Sequence, residues 1–193
     1  MSALFVKNIY ISFNALLEHY SVIDAVNKNE EQVSLINKGL SRNLQILMAS
    51  DTNMQEAKQA ASLFSINIDL ERIGDHTVNI AEAEESLIAM DSPLSVKAYD
   101  ELNELTDLIM QSLRAIDDII GGGNSELVKL VRENEEKIDE LCRRNRDAEI
   151  ERMKDDTDEP NSGIVYSELL IDIERIGDHL INVAESFAES YEK

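Results

Sequence analysis

The chain has 193 residues and carries 39 acidic against 18 basic side chains, a formal charge of −21. No basic stripe is available to hold phosphate backbones, so nucleic acid is excluded as a partner class, and cations or basic protein surfaces fit better. One cysteine, Cys142, excludes an internal disulfide and a Cys-rich metal site, and no run of 18 apolar residues exists to span a bilayer.

Helical periodicity predicts six helices and no strand, an all-α fold. The first is expected over Ala3–Lys28, with Phe5, Ile9, Phe13, Leu16, Leu17, Tyr20 and Ile23 as its apolar stripe. Its mildly apolar start lacks a small-residue cleavage site and is not read as a signal peptide. The second is expected over Glu30–Ala49, burying Val33, Ile36, Leu40, Leu44 and Leu47. Thr52 and Gln55 fit a capping box that opens a long third helix, Asn53–Met90. Ser92-Pro93 reads as an N-cap and first-turn proline ahead of a fourth helix, Leu94–Ile120. Gly121–Gly123 stops it, and Asn124-Ser125 caps a fifth over Glu126–Lys154. Asp155–Gly163 reads as a loop, and the sixth helix as Ile164–Tyr191.

The pattern repeats. Ile68–Glu82 reads IDLERIGDHTVNIAE and Ile171–Glu185 reads IDIERIGDHLINVAE, 103 residues later, with eleven of fifteen positions identical. A weaker match pairs Glu30–Met48 with Glu135–Met153 at an offset of 105. Duplication predicts two tandem three-helix bundles, residues 1–92 and 93–193, with a single irregular bundle as the alternative.

On a helical wheel Leu63, Ile66, Leu70, Ile73, Thr77, Ile80 and Ala81 form the core face. Glu71, Asp75 and Glu82 share a second stripe, with Asn79 at its edge. Asp69, Arg72 and His76 form a third. The second copy repeats this with Glu174, Asp178 and Glu185, and with Asp172, Arg175 and His179. Carboxylates at i and i+4 repel, which makes sense if a cation sits between them. Oxygen ligands suit Mg²⁺, Ca²⁺ or Mn²⁺, and also iron.

One helix supplies too few ligands, and Glu135 and Asp139 on the fifth helix repeat the spacing. Antiparallel packing would bring Glu135, Asp139, Glu174 and Asp178 together. In the first half Glu30, Glu71 and Asp75 remain, but Ser34 stands where Asp139 does in the second. A solvated acidic face without metal is the competing reading. His76 and His179 lie off the carboxylate stripe and are expected to bond Asp69, Arg72 or a partner helix. Gly74 and Gly177 are expected where a neighbouring helix comes close.

ERIGDH followed by Asn and Ala-Glu, in two copies, closely resembles the PhoU family over nearly the whole chain. The resemblance implies two three-helix bundles and multinuclear iron or zinc clusters on Glu/Asp-x-x-x-Asp motifs, here Glu71/Asp75, Glu174/Asp178 and Glu135/Asp139. It implies regulation of phosphate transport through transporter components or a sensor kinase, without catalysis. The location would be cytoplasmic, peripheral to or tethered at the inner membrane. The family also contains regulatory domains fused behind sodium-phosphate cotransporters, and a homodimer is compatible with it. Ser34 departs from the motif and puts a full first-half cluster in doubt. A carboxylate-bridged metalloenzyme and a metal-free adaptor are the remaining alternatives.

Overall fold

The computed structural model describes residues 3–50, 53–122, 126–154 and 159–191. They form six helices and, among the described residues, no strand: α1 (Ala3–Glu18), α2 (Ile23–Ala49), α3 (Met54–Met90), α4 (Val96–Ile120), α5 (Leu127–Lys154) and α6 (Pro160–Tyr191). In chain order they make two groups of three. α2 packs on α3 and α5 on α6, α1 and α4 lie across these pairs, and α3 runs along α6 between the groups. One continuous core draws Ile9, Phe13, Ile73 and Ile80 from the first half and Leu105, Ile116, Ile138 and Ile173 from the second. Among the described residues no helix is long and apolar enough to cross a membrane.

Several helix ends differ from expectation. The first helix stops at Glu18, ten residues before Lys28. His19 adopts a left-handed φ of 58°, and the Tyr20 amide donates to the Ala15 carbonyl at 3.1 Å. That is a Schellman ending without the usual glycine. His19 is held there by Glu84, 2.7 Å from its Nδ1. The long-range contact between His19 and Glu84 accompanies the end of α1, so no local signal marks it.

Thr52 lies outside the described residues, and α3 is capped by Asn53, whose side chain accepts the Glu56 amide at 2.9 Å. Ser95, not Ser92, caps α4, accepting the Ala98 amide at 3.3 Å. Leu94, just ahead of the cap, is buried and anchors the entry of the helix. Asn124 and Ser125 lie outside the described residues.

α6 begins at Pro160, four residues before Ile164. Proline suits the first helical position, and the Gly163 amide closes the first turn on the Glu159 carbonyl at 2.9 Å. A Cβ at Gly163 would lie 2.6 Å from Met153 Sδ and 2.7 Å from Glu149 Oε1. Gly163 therefore marks close packing against α5, not the loop its turn signal suggests.

On α2 the burial expectation holds at Val33 and Leu44, but Ile36, Leu40 and Leu47 are exposed, as is Leu63 of the α3 core stripe. The inward row of α2 is Val26, Val33, Asn37 and Leu44.

Candidate metal centre

α5 and α6 are antiparallel. Arg132 pairs with Glu185, Ile138 faces Gly177, and Arg146 reaches Glu174 at 3.1 Å. This register brings Glu135, Asp139 and Asp178 together, each offering a carboxylate oxygen within 4.8 Å of the others. Burial raises the pKa of Glu135, and Asp139, Asp178 and Glu136 raise it further while Arg132 opposes them. Asp139 is raised by burial and then by Asp178 and Glu174, against Arg175. The cluster thus holds more negative charge than its arginines offset.

Glu174, the fourth residue expected to converge, instead engages Arg146, which donates to its Oε2. Asp178 also accepts from Arg175 at 3.1 Å. The sequence reading omitted Arg146 and Arg132. Arg146 lies seven residues after Asp139 and Arg132 three before Glu135, spacings that put both on the carboxylate face. Cys142 is fully buried, and burial pushes its thiol up to about 12. Its sulfur is not among the ligand atoms that converge in the trio.

In the first half Glu30, Glu71 and Asp75 are neighbours. Burial, then Asp75, then Glu71 push the half-buried Glu30 carboxyl up to about 7. The Glu30 carboxylate lies over Gly74, where a Cβ would come within 2.8 Å of its Oε2. Gly74 therefore makes room for this side chain, whereas a Cβ at Gly177 would meet Ile138 at an ordinary 3.5 Å. Among the described residues no second trio of His, Cys, Asp or Glu ligand atoms converges as the first does.

Two of the second half's counter-ions also have no first-half equivalent. Arg132 corresponds to Asn27 and Arg146 to Ser41. Asn27, Glu30, Ser34, Asp75 and Glu82 line an open groove of 770 Å³.

The third stripe of the repeat joins the halves. His76 Nδ1 lies 2.7 Å from Asp172 Oδ1, and His179 Nδ1 lies 2.8 Å from Asp69 Oδ1. The two rings stack with centroids 5.9 Å apart. Asn79 donates to Asp172 at 2.8 Å and Asn182 to Asp69 at 3.5 Å. Each motif thus places its Asp against the other motif's His, and neither histidine faces the carboxylate trio.

A sequence model of the PhoU domain matches residues 1–83 and 102–187. The chain belongs to the PhoU family. The phosphate-specific transport system accessory protein PhoU homolog 1 of Thermotoga maritima is 26% identical over 88% of this chain and 68% of its own length. A PhoU homolog of the phosphate-specific transport system of Xylella fastidiosa is 26% identical over 84% of this chain and 68% of its own. The crystal structure of PhoU from Pseudomonas aeruginosa superposes with a TM-score of 0.89 at 21% identity, covering 97% of this chain and 90% of that one. That likeness establishes a shared PhoU fold.

Proposed function

We propose that this chain is a non-catalytic regulator of phosphate transport whose second repeat carries a metal site formed by Glu135, Asp139 and Asp178. The role in phosphate transport is supported by family membership and by the relatives' part in phosphate-specific transport systems. The metal reading is carried by one observation, three carboxylates within 4.8 Å of one another. Oxygen donors of this kind fit a hard divalent or trivalent ion, Mg²⁺, Mn²⁺, Ca²⁺ or iron, with iron or zinc favoured by the family resemblance. Burial and, after it, mutual repulsion raise Glu135 and Asp139, and a bound cation would relieve the repulsion.

Glu174 stands beside the trio, its charge acting on Asp139 while it pairs with Arg146, and Glu71, Asp75 and Glu30 form the weaker first-half counterpart. We divide the repeats at residues 92 and 93, beside the left-handed turn at Asp91. The partners are phosphate-transporter components or a sensor kinase, met on the cytoplasmic side of the membrane. The histidines that a carboxylate-bridged metalloenzyme commonly uses are committed here to Asp69 and Asp172, which favours a regulator.

Metal content of Asp178→Asn and Asp75→Asn proteins, measured by mass spectrometry against the parent, tests the site. We expect a large loss from Asp178→Asn and little from Asp75→Asn, because affinity of an oxygen site follows its ligand charge. Equal losses, or none from either change, would contradict it.

A further inference from the structure

Arg146 and Arg152 of α5 both pair with carboxylates, but they are satisfied to different degrees. Arg152 donates from Nε to Glu149 at 2.8 Å, and from Nη1 and Nη2 to Glu101 at 3.1 and 3.0 Å. That fork uses the guanidinium on every side and fixes it. Arg146 holds Glu174 by a single contact, from Nη2 to Oε2 at 3.1 Å. Its Nε is buried and, among the described residues, has no hydrogen-bond acceptor. A buried donor without an acceptor is costly, so Arg146 is anchored less well than Arg152.

Glu174 is placed close to the trio. It lies four residues before Asp178, one turn away on the same stripe of α6. After burial and Asp178, its charge raises the pKa of Asp139 further. Glu174, Asp139 and Arg146 line one recess. Yet the Glu174 carboxylate, engaged by Arg146, is not among the oxygens that converge. The first repeat is built differently. Ser41 stands where Arg146 does and accepts from Asn67 at 2.8 Å. Glu71, the counterpart of Glu174, there raises Glu30, after burial and Asp75.

We propose, resting on the metal reading of the trio, that Arg146 competes with the cation for Glu174. A carboxylate engaged by an arginine gives less of its charge to a nearby ion, and affinity in an oxygen site follows ligand charge. Arg146 is thus a positioning residue that acts on the site through Glu174. It offsets the acidic recess before an ion arrives, and it lowers the affinity of the second-repeat site. Cation uptake exchanges an internal counter-ion for an external one. The single contact and the unanswered Nε permit that exchange, which a fork like that of Arg152 would resist.

Mn²⁺ titrated into chelator-stripped protein at fixed ionic strength, with free ion read by electron paramagnetic resonance, measures the competition. Arg146→Met keeps the apolar stem and removes the guanidinium. It should tighten Mn²⁺ binding by at least about tenfold, the scale of a hydrogen bond between charged groups. Arg146→Gln, made alongside, should tighten it in the same direction, and circular dichroism checks that the helices remain. On a Glu174→Gln background Arg146→Met should alter affinity by less than about threefold, because the partner through which it acts is gone. Arg143→Met removes an equal charge from the same recess and should also stay within about threefold. Damage to packing would weaken binding, so tightening reports the competition and not a structural loss. Unchanged or weaker binding by both Arg146 variants overturns the proposal and leaves the trio standing. Equal tightening on both backgrounds, or equal tightening from Arg143→Met, also overturns it, by assigning the effect to net charge. Absence of Mn²⁺ uptake by the parent and every variant overturns the metal reading and the proposal with it.

Discussion

Glu84 has no exposed surface, and burial, followed by the charge of Glu85, pushes its carboxyl up to about 8. His19 from the end of α1 lies 2.7 Å away. Tyr99 from α4 reaches the same His19 ring at 3.5 Å, and Ser21 bonds the neighbouring Glu85. The folded protein therefore keeps a proton on Glu84 that the unfolded chain releases near the ordinary value of 4.5. Stability from this group is full below that value and is lost as pH rises through about 8. Glu84→Gln fixes the neutral form. Between about pH 5 and pH 9 the parent melting temperature should fall relative to the variant, by about 2–4 °C for each ~1 kcal/mol lost in a chain of this size. Parallel melting curves would show that Glu84 does not titrate there. Neither Glu84 nor His19 was legible in the sequence. A glutamate in an acidic helix and a lone histidine gain meaning only when α1, α3 and α4 meet. Asp139 and Asp178 were legible because i, i+4 spacing and duplication are local facts.

The long helices were readable because each sustains its apolar period over several turns, and the duplication predicted that the repeated helices would correspond. The ends failed wherever a tertiary contact overrode a local signal, as at His19 and Gly163. The apolar period of α2 also cannot say which stripe is covered, and Val26, Val33, Asn37 and Leu44 face inward while Ile36, Leu40 and Leu47 do not. The antiparallel α3–α6 contact explains why the repeat preserves charged positions. Asp69, His76, Asp172 and His179 form two reciprocal part-buried pairs across it. Removing either imidazole leaves an aspartate short of a donor, a change worth about 1–3 kcal/mol. The two losses should differ. Asp172 keeps Asn79 at 2.8 Å, whereas Asp69 keeps Asn182 only at 3.5 Å. His179→Ala should therefore lower the urea midpoint more than His76→Ala, with the slope of unfolding unchanged. Equal midpoints, or the reverse order, would mean the asparagines do not share the load.

At the scale of the molecule, duplication supplied two copies of one scaffold, and the acidic stripes on them diverged. The second copy keeps Asp139 and gains offset from Arg132 and Arg146; the first has Ser34, Asn27 and Ser41 at those positions. Both remain embedded in a chain of charge −21, and that charge acts on two properties in opposite directions. Within the chain, like charges repel and oppose the compact state, so screening by salt relieves them. Between this chain and a basic surface on the partner proposed above, the same charges would attract, and screening would weaken the complex. One salt titration separates the two effects. Raising monovalent salt from about 20 mM, where the screening length is above about 20 Å, to about 500 mM, where it falls below about 5 Å, should raise the melting temperature of the isolated protein. Over the same range, recovery of the partner in a pull-down should fall. If salt leaves recovery unchanged while the melting temperature rises, docking is carried by apolar contact, and the acidic surface serves stability and solubility alone.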